Sequence, residues 1–183
     1  MNHFFDIGAN AGQTFDNFLV KTEEYDGWTV WCFEPSPRHF TSLLETVRRY
    51  RTRYQIIICP FAVTEQSGFF TLYEKADSQG DSLIEDFIVE NATSGYTLSV
   101  LGASLSALLL HHIADSDKVV LKLDCEGAEY GILENLLAYP EVLPKISRLL
   151  VEWHAKAGEH AEEITSLCSR FRDAGKPLER WMF

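Results

Sequence analysis

A short apolar run, Phe4-Phe5-Asp6-Ile7, leads without a break into Gly8-Ala9-Asn10-Ala11-Gly12 and then into a helical pattern. A buried strand that turns through glycines into a helix lets backbone come close to a ligand where a side chain would collide, and Gly8 and Gly12 stand at those positions. A second apolar run, Trp28 to Phe33, ends in Glu34-Pro35. In a doubly wound sheet this is the place of the acid that holds a ribose through its hydroxyls. The two segments together point to a nucleoside cofactor.

What the loop lacks narrows the class of cofactor. A dinucleotide fold keeps Gly-x-Gly-x-x-Gly so that pyrophosphate can sit on a helix N-terminus. Here Asn10 replaces the middle glycine and Asp6 precedes the loop, an acid that would repel pyrophosphate. A cofactor bearing positive charge fits better, and S-adenosylmethionine carries a sulfonium and an ammonium group. On this reading Asp6, Gly8, Ala9, Asn10 and Gly12 form the loop and its methionine end, and Gln13 and Thr14 open the helix. Glu34 takes the ribose with Pro35 and Ser36 beside it, and Phe61 and Ala62 border the adenine.

A third segment, Val119 to Glu129, has a buried-strand pattern that breaks into Lys122, Asp124, Glu126 and Glu129 before an apolar helix resumes. Strand alternation puts Lys122 and Asp124 on one side, at the carboxyl edge of a parallel sheet where ligands bind. Glu152 and His154 alternate onto one side of a neighbouring strand end. The candidate bases for a reacting group are therefore Asp124, Glu126, Glu129, Glu152 and His154. Asp124, Glu152 and His154 could equally offer ligands to a divalent metal, but the spacing does not require one and no metal ligand is assigned.

The ordered segments Asp6 to Thr14, Phe33-Glu34-Pro35-Ser36-Pro37, Lys122-Leu123-Asp124-Cys125-Glu126-Gly127-Ala128-Glu129 and Val151-Glu152-Trp153-His154 resemble the motifs of the FkbM family of class I S-adenosylmethionine-dependent methyltransferases. The Lys-x-Asp-x-Glu-Gly-Ala-Glu run is the most specific of the four. The resemblance implies an O-methyltransferase acting on a hydroxyl of a sugar, glycan or secondary metabolite. Two other readings stand beside it: a binding module without catalysis, and a nicotinamide-dependent oxidoreductase, against which Asp6 and the missing glycine speak.

The alternation of strand and helix implies an α/β, Rossmann-like, doubly wound and mostly parallel sheet with helices on both faces. Strands are expected near 3–7, 28–33, 55–59, 69–73, 119–124, 147–153 and 178–183, and helices near 12–22, 37–50, 128–138 and 159–174. A further helix carries Leu101, Leu105, Leu108 and Leu109. With 183 residues, 46% of them hydrophobic, one domain is expected over the whole chain. Ala76 to Ser104 reads as an irregular excursion, a candidate acceptor-site lid. The first strand begins next to Met1, and 178–183 leaves room for one strand with Trp181 and Phe183 exposed. This points to a domain of a longer polypeptide or to a homodimer that covers its edge.

A net charge of -11 speaks against a nucleic-acid partner. The basic run Arg48 to Arg53 reads as a solvated helix end, and His111 and His112 as helix-surface residues. Without a signal peptide or an 18-residue apolar run, a cytoplasmic protein with no membrane partner is expected. Cys32, Cys59, Cys125 and Cys168 lack metal-ligand spacing and read as reduced thiols.

Overall fold

Along the first strand Phe4 and Phe5 point to opposite faces, and each face has its own apolar cluster, so the sheet is buried on both sides. In the computed structural model, which describes residues 1–75, 80–85, 93–154 and 160–182, this sheet has six parallel strands. They are β1 (Asn2–Ile7), β2 (Thr29–Phe33), β3 (Gln55–Cys59), β7 (Lys118–Leu123), β8 (Ile146–Val151) and β9 (Leu178–Arg180), in the order β3-β2-β1-β7-β8-β9. Helices α1 (Gln13–Asn17) and α2 (Phe40–Tyr50) cover one face. The other is covered by α3 (Leu105–His112), α4 (Glu129–Ala138) and α5 (Ala161–Asp173). This is the expected doubly wound α/β fold. Strand order reverses between β1 and β7, and a crevice at the carboxyl ends of these two strands is where such a sheet takes its ligand.

Several expectations need correction. The strand near 69–73 does not join the main sheet. It is β5 (Gly68–Lys75), which pairs antiparallel with β6 (Thr93–Ser104), while β4 (Ala62–Thr64) runs parallel to β6 on its other side. The end of the supposed irregular excursion is therefore a twelve-residue strand, whereas 76–79 and 86–92 lie outside the described residues. Leu101 belongs to that strand and is exposed beside Phe69, its partner across the ladder. The helix begins only at Leu105.

The expected helix over 12–22 is broken. Phe18 leaves helical geometry, a single 3-10 turn follows at Leu19–Lys21, and the Phe18 ring packs against Phe4, Tyr25 and Trp181. Trp181 is buried rather than exposed, because its backbone N–H donates to the Val151 carbonyl at 2.8 Å and turns the ring inward. Phe183 lies outside the described residues. The basic run is the solvated end of α2 that was expected, with Arg48, Arg49 and Arg51 exposed, Arg49 paired to Asp16 at 2.8 Å and Arg53 to Asp26. Among the described residues no helix is long and apolar enough to cross a membrane.

The switch point is closed by one buried cation. The Lys122 ammonium lies 3.0 Å from Asp6 and 2.9 Å from Asp124, and it donates to the Gly8 carbonyl at 2.8 Å. Burial works against its charge, but the two carboxylates outweigh burial and hold its pKa above the usual lysine range. Removing one partner of such a cluster strands uncompensated buried charge. Lys122→Met is therefore expected to lower stability by about 3–5 kcal/mol in denaturant unfolding, and adding Asp6→Asn to recover part of the loss. A loss under about 1 kcal/mol would mean that the cluster does not hold the sheet.

Candidate functional site

Above the switch point the strand ends enclose a cleft of about 300 Å³, within the range of small-molecule sites. Its first wall is the loop after β1. Gly8 has φ +79°, and a Cβ there would fall 1.7 Å from the Asp124 carbonyl oxygen. Glycine is thus required by the neighbouring strand as much as by any ligand. Gly12 has φ +87°, and a Cβ would press on Thr46 and Leu43 of α2, so this glycine serves helix packing and does not line the cleft. Asn10 takes φ 45°, a left-handed conformation that asparagine tolerates, so the missing middle glycine leaves the loop path intact.

Every backbone N–H from 8 to 12 is engaged inside the protein. Gly8 and Ala9 donate to the Phe33 carbonyl, Asn10 to Glu34, Ala11 to the Asn10 side chain and Gly12 to the Ala9 carbonyl. A pyrophosphate needs such donors free. Asp6 does not present a repelling charge to the cleft as its sequence position suggests: it is fully buried, accepts from Thr14 at 3.0 Å, pairs with Lys122 and does not line the cleft.

Glu34 lines the cleft, but both of its oxygens already work for the fold. One accepts the Asn10 N–H at 2.8 Å and the other the Ser36 N–H at 2.7 Å. Burial pushes its carboxyl up, against those two bonds. Gly8, Ala9, Asn10, Gln13, Thr14, Pro35 and Ala62 also line the cleft. Ser36 is wholly buried behind Glu34, and Phe61 packs on Phe33 in the core; neither lines it. Lys122, placed at this sheet edge by strand alternation, lines the cleft as well; lining residues not anticipated from sequence include His39, Asp81 and Trp181, the last with its ring 6.0 Å from the Lys122 ammonium.

The opposite wall is the loop after β7 with the end of β8. Glu126 has φ 53° and Gly127 φ 102°, a left-handed pair that turns the chain sharply into α4. Glu129, fully buried at the start of α4, pins this turn by accepting the Cys125 N–H at 2.8 Å and the Gly127 N–H at 3.0 Å. Its first oxygen also meets His154 Nδ1 at 2.9 Å. Glu129 therefore stands behind His154, while Asp124, Glu126, Glu152 and His154 line the cleft.

That contact turns the other imidazole nitrogen, Nε2, toward Asp124 and Glu126 at 3.7 Å and Glu152 at 4.0 Å. Burial alone would lower the His154 pKa, but Glu129, then Glu126 and Asp124, outweigh it and push it up to about 9. Burial also raises the Glu126 and Glu152 carboxyls. Asp124, Glu152 and His154 each present one atom within 4.8 Å of the others, a spacing that fits a divalent ion. Cys125 is held as a thiol, its pKa raised far above the usual value by burial and Glu129.

A family model described as the methyltransferase FkbM domain matches residues 6–178. Among solved structures, the chain is similar to the crystal structure of methyltransferase FkbM from Methylobacillus flagellatus KT, with a TM-score of 0.56 and 16% identity. That likeness covers 92% of this chain and 38% of the other, so the chain spans well under half the length of this neighbour. No curated protein matches the sequence.

The raised His154 pKa ties stability to pH. Because the folded value of about 9 lies above the ordinary 6.5, the contribution is complete below pH 6.5 and disappears as pH rises through 9. Unfolding of the wild type and of His154→Asn should differ by about 3 kcal/mol more near pH 6 than near pH 9.5. An equal difference at both pH values would contradict a charged imidazole among these carboxylates.

Proposed function

The chain belongs to the FkbM methyltransferase domain family, and from that premise we propose that it transfers a methyl group from S-adenosylmethionine to a hydroxyl oxygen, on a sugar, glycan or secondary metabolite. The observation that carries this reading is the arrangement of His154, held through Nδ1 by buried Glu129 with Nε2 facing Asp124 and the cleft. When bound, the cofactor would supply an activated methyl on a sulfonium, the carbon–oxygen bond to the acceptor forming as the carbon–sulfur electron pair returns to sulfur. The residues then have to position the acceptor, keep water out and take one proton.

The loop with Gly8 and Asn10 and the Glu34 carboxylate stand at one end of the cleft, the proton-accepting group at the other. With its Nδ1–H donating to Glu129, neutral His154 carries a bare Nε2 that can accept the hydroxyl proton. With its pKa near 9, this nitrogen is protonated at neutral pH. Asp124 and Glu126, which hold that proton on His154, would hold it less strongly beside a cofactor's positive charge, and this would free the base. Trp181 over Lys122 shields the buried ion cluster from water at the same opening.

The engaged N–H groups of the glycine loop speak against a nicotinamide dinucleotide. A divalent ion at Asp124, Glu152 and His154 is the second reading, favoured by their spacing. It would lower the hydroxyl pKa instead, but it must displace the proton that the carboxylates already hold on His154.

These alternatives separate in a methyl-transfer assay on a panel of polyol acceptors. kcat/KM is expected to rise with pH through a limb near 9, the value of the free protein. His154→Asn should lower kcat by about 100-fold or more, and Glu129→Gln should move the limb to lower pH by removing the largest attraction on the imidazolium. Activity should survive a chelator. Loss with EDTA and recovery with magnesium would give the role to a metal, and a flat pH profile with an active His154→Asn would place the base elsewhere.

A further inference from the structure

The stretch 80–85 borders the cleft through Gly80, Asp81 and Leu83, although in the sequence it reads only as part of an irregular segment. It is fastened on both sides. Ser82 exchanges backbone hydrogen bonds with Tyr73 at 2.9 and 3.1 Å, and its hydroxyl donates to the Glu126 carbonyl at 2.6 Å. Gly80 has φ +84°, and a Cβ there would lie 2.9 Å from the Glu126 carboxyl, so the strap is pressed against the loop after β7. On the other side Arg38 bonds both Asp81 and, at 2.9 Å, the Lys75 carbonyl.

These contacts grip Asp81 by one oxygen only. Oδ1 takes Arg38 and, at 3.0 Å, the Lys75 N–H. Oδ2 is buried with no hydrogen-bond partner, and so is His39 Nε2. The two face each other across 3.6 Å, an ion-pair contact longer than a hydrogen bond, and both residues line the cleft. The Asp81 side chain is 5% exposed and that of His39 10%. Burial raises the Asp81 carboxyl, but His39, the Lys75 amide, Ser36 and Arg38 together outweigh it, so the group is a carboxylate that can only accept. Buried polar atoms normally find partners. A carboxylate and an imidazole held at ion-pair distance without a hydrogen bond, at a ligand cleft, suit a group that donates to the first and accepts from the second.

We propose that Asp81 and His39 read the base of the cofactor: Asp81 Oδ2 accepts the exocyclic amine of adenine, and His39 Nε2–H donates to the adjacent ring nitrogen. This rests on the S-adenosylmethionine reading given above. The edge of adenine presents this donor beside an acceptor. Val63, Leu72 and Leu83 line the same cleft and offer apolar surface for a flat base, and Glu34 stands close enough to feel the charge of both residues. The acid at the end of β2 and the acid on the strap then divide the nucleoside between them, one for the ribose and one for the base.

Titration calorimetry with S-adenosylhomocysteine and S-inosylhomocysteine tests this directly. The second ligand replaces the amine by a carbonyl and the ring nitrogen by an N–H, reversing both contacts. The wild type should prefer the adenine ligand by at least about tenfold. Asp81→Asn keeps an oxygen for Arg38 and the Lys75 amide but presents an amide donor in place of Oδ2, and should shrink or invert that preference. Equal weakening of both ligands, or an unchanged ratio, would reduce Asp81 to fastening the strap and overturn the inference. If circular dichroism shows that Asp81→Asn does not fold, the ratio measured on His39→Leu decides, with a reduced preference expected and an unchanged one contrary. A wild type that binds neither ligand would overturn the cofactor reading itself, whereas one that binds both equally would overturn only the role of Asp81 and His39.

Discussion

The ammonium of Lys122 joins everything that meets at the switch point. It reaches Asp6 on β1, Asp124 just past β7 and the Gly8 carbonyl on the loop, each within 3.0 Å. Two parallel strands that diverge to opposite sides of a sheet leave a gap at their carboxyl ends, and a ligand cleft needs walls of fixed separation there. A single buried cation shared by two carboxylates sets that separation. It also makes Gly8 obligatory, since the same closeness brings the Asp124 carbonyl to where a Cβ would stand.

Around this centre the carboxylates divide by burial. Asp6, Glu34 and Glu129 are buried and hold structure: the first pairs with Lys122, and the other two pin turns through backbone N–H groups. Asp124, Glu126 and Glu152 keep partial access to the cleft and surround His154 Nε2. The acidic excess of the site is therefore partly scaffold, and the side facing the cleft is tuned by one imidazole. Left-handed residues mark both turns, Asn10 in the first and Glu126 in the second. Such conformations persist where surrounding contacts over-determine them.

Much of this was legible in the sequence because its signals are local. Strand-to-loop transitions at Ile7, Phe33 and Leu123 each carry apolar residues into charged or glycine-rich turns, and periodicity gives both the strands and the sheet. The roles of Asp6 and Gly12 were misplaced for the opposite reason. Asp6 meets a lysine 116 positions away, and Gly12 meets α2; neither partner is visible from spacing. The strand Thr93–Ser104 was hidden by its polar and glycine content, since its stability comes from pairing with β5 and β4 rather than from propensity. Asp81 was hidden because its setting depends on Arg38 and the Lys75 backbone. Trp181 could have been noticed as an aromatic beside a strand end, but only β9 pairing with β8 turns it inward.

The central claim is that the cleft above the Lys122 cluster takes S-adenosylmethionine, with a glycine loop whose N–H groups are closed to pyrophosphate. Calorimetric titration of the purified chain with S-adenosylmethionine, and with NAD under the same conditions, measures that claim most directly. Micromolar binding of S-adenosylmethionine with no heat from NAD is the predicted result. NAD binding with equal or greater affinity, or no binding of S-adenosylmethionine at all, would contradict the account.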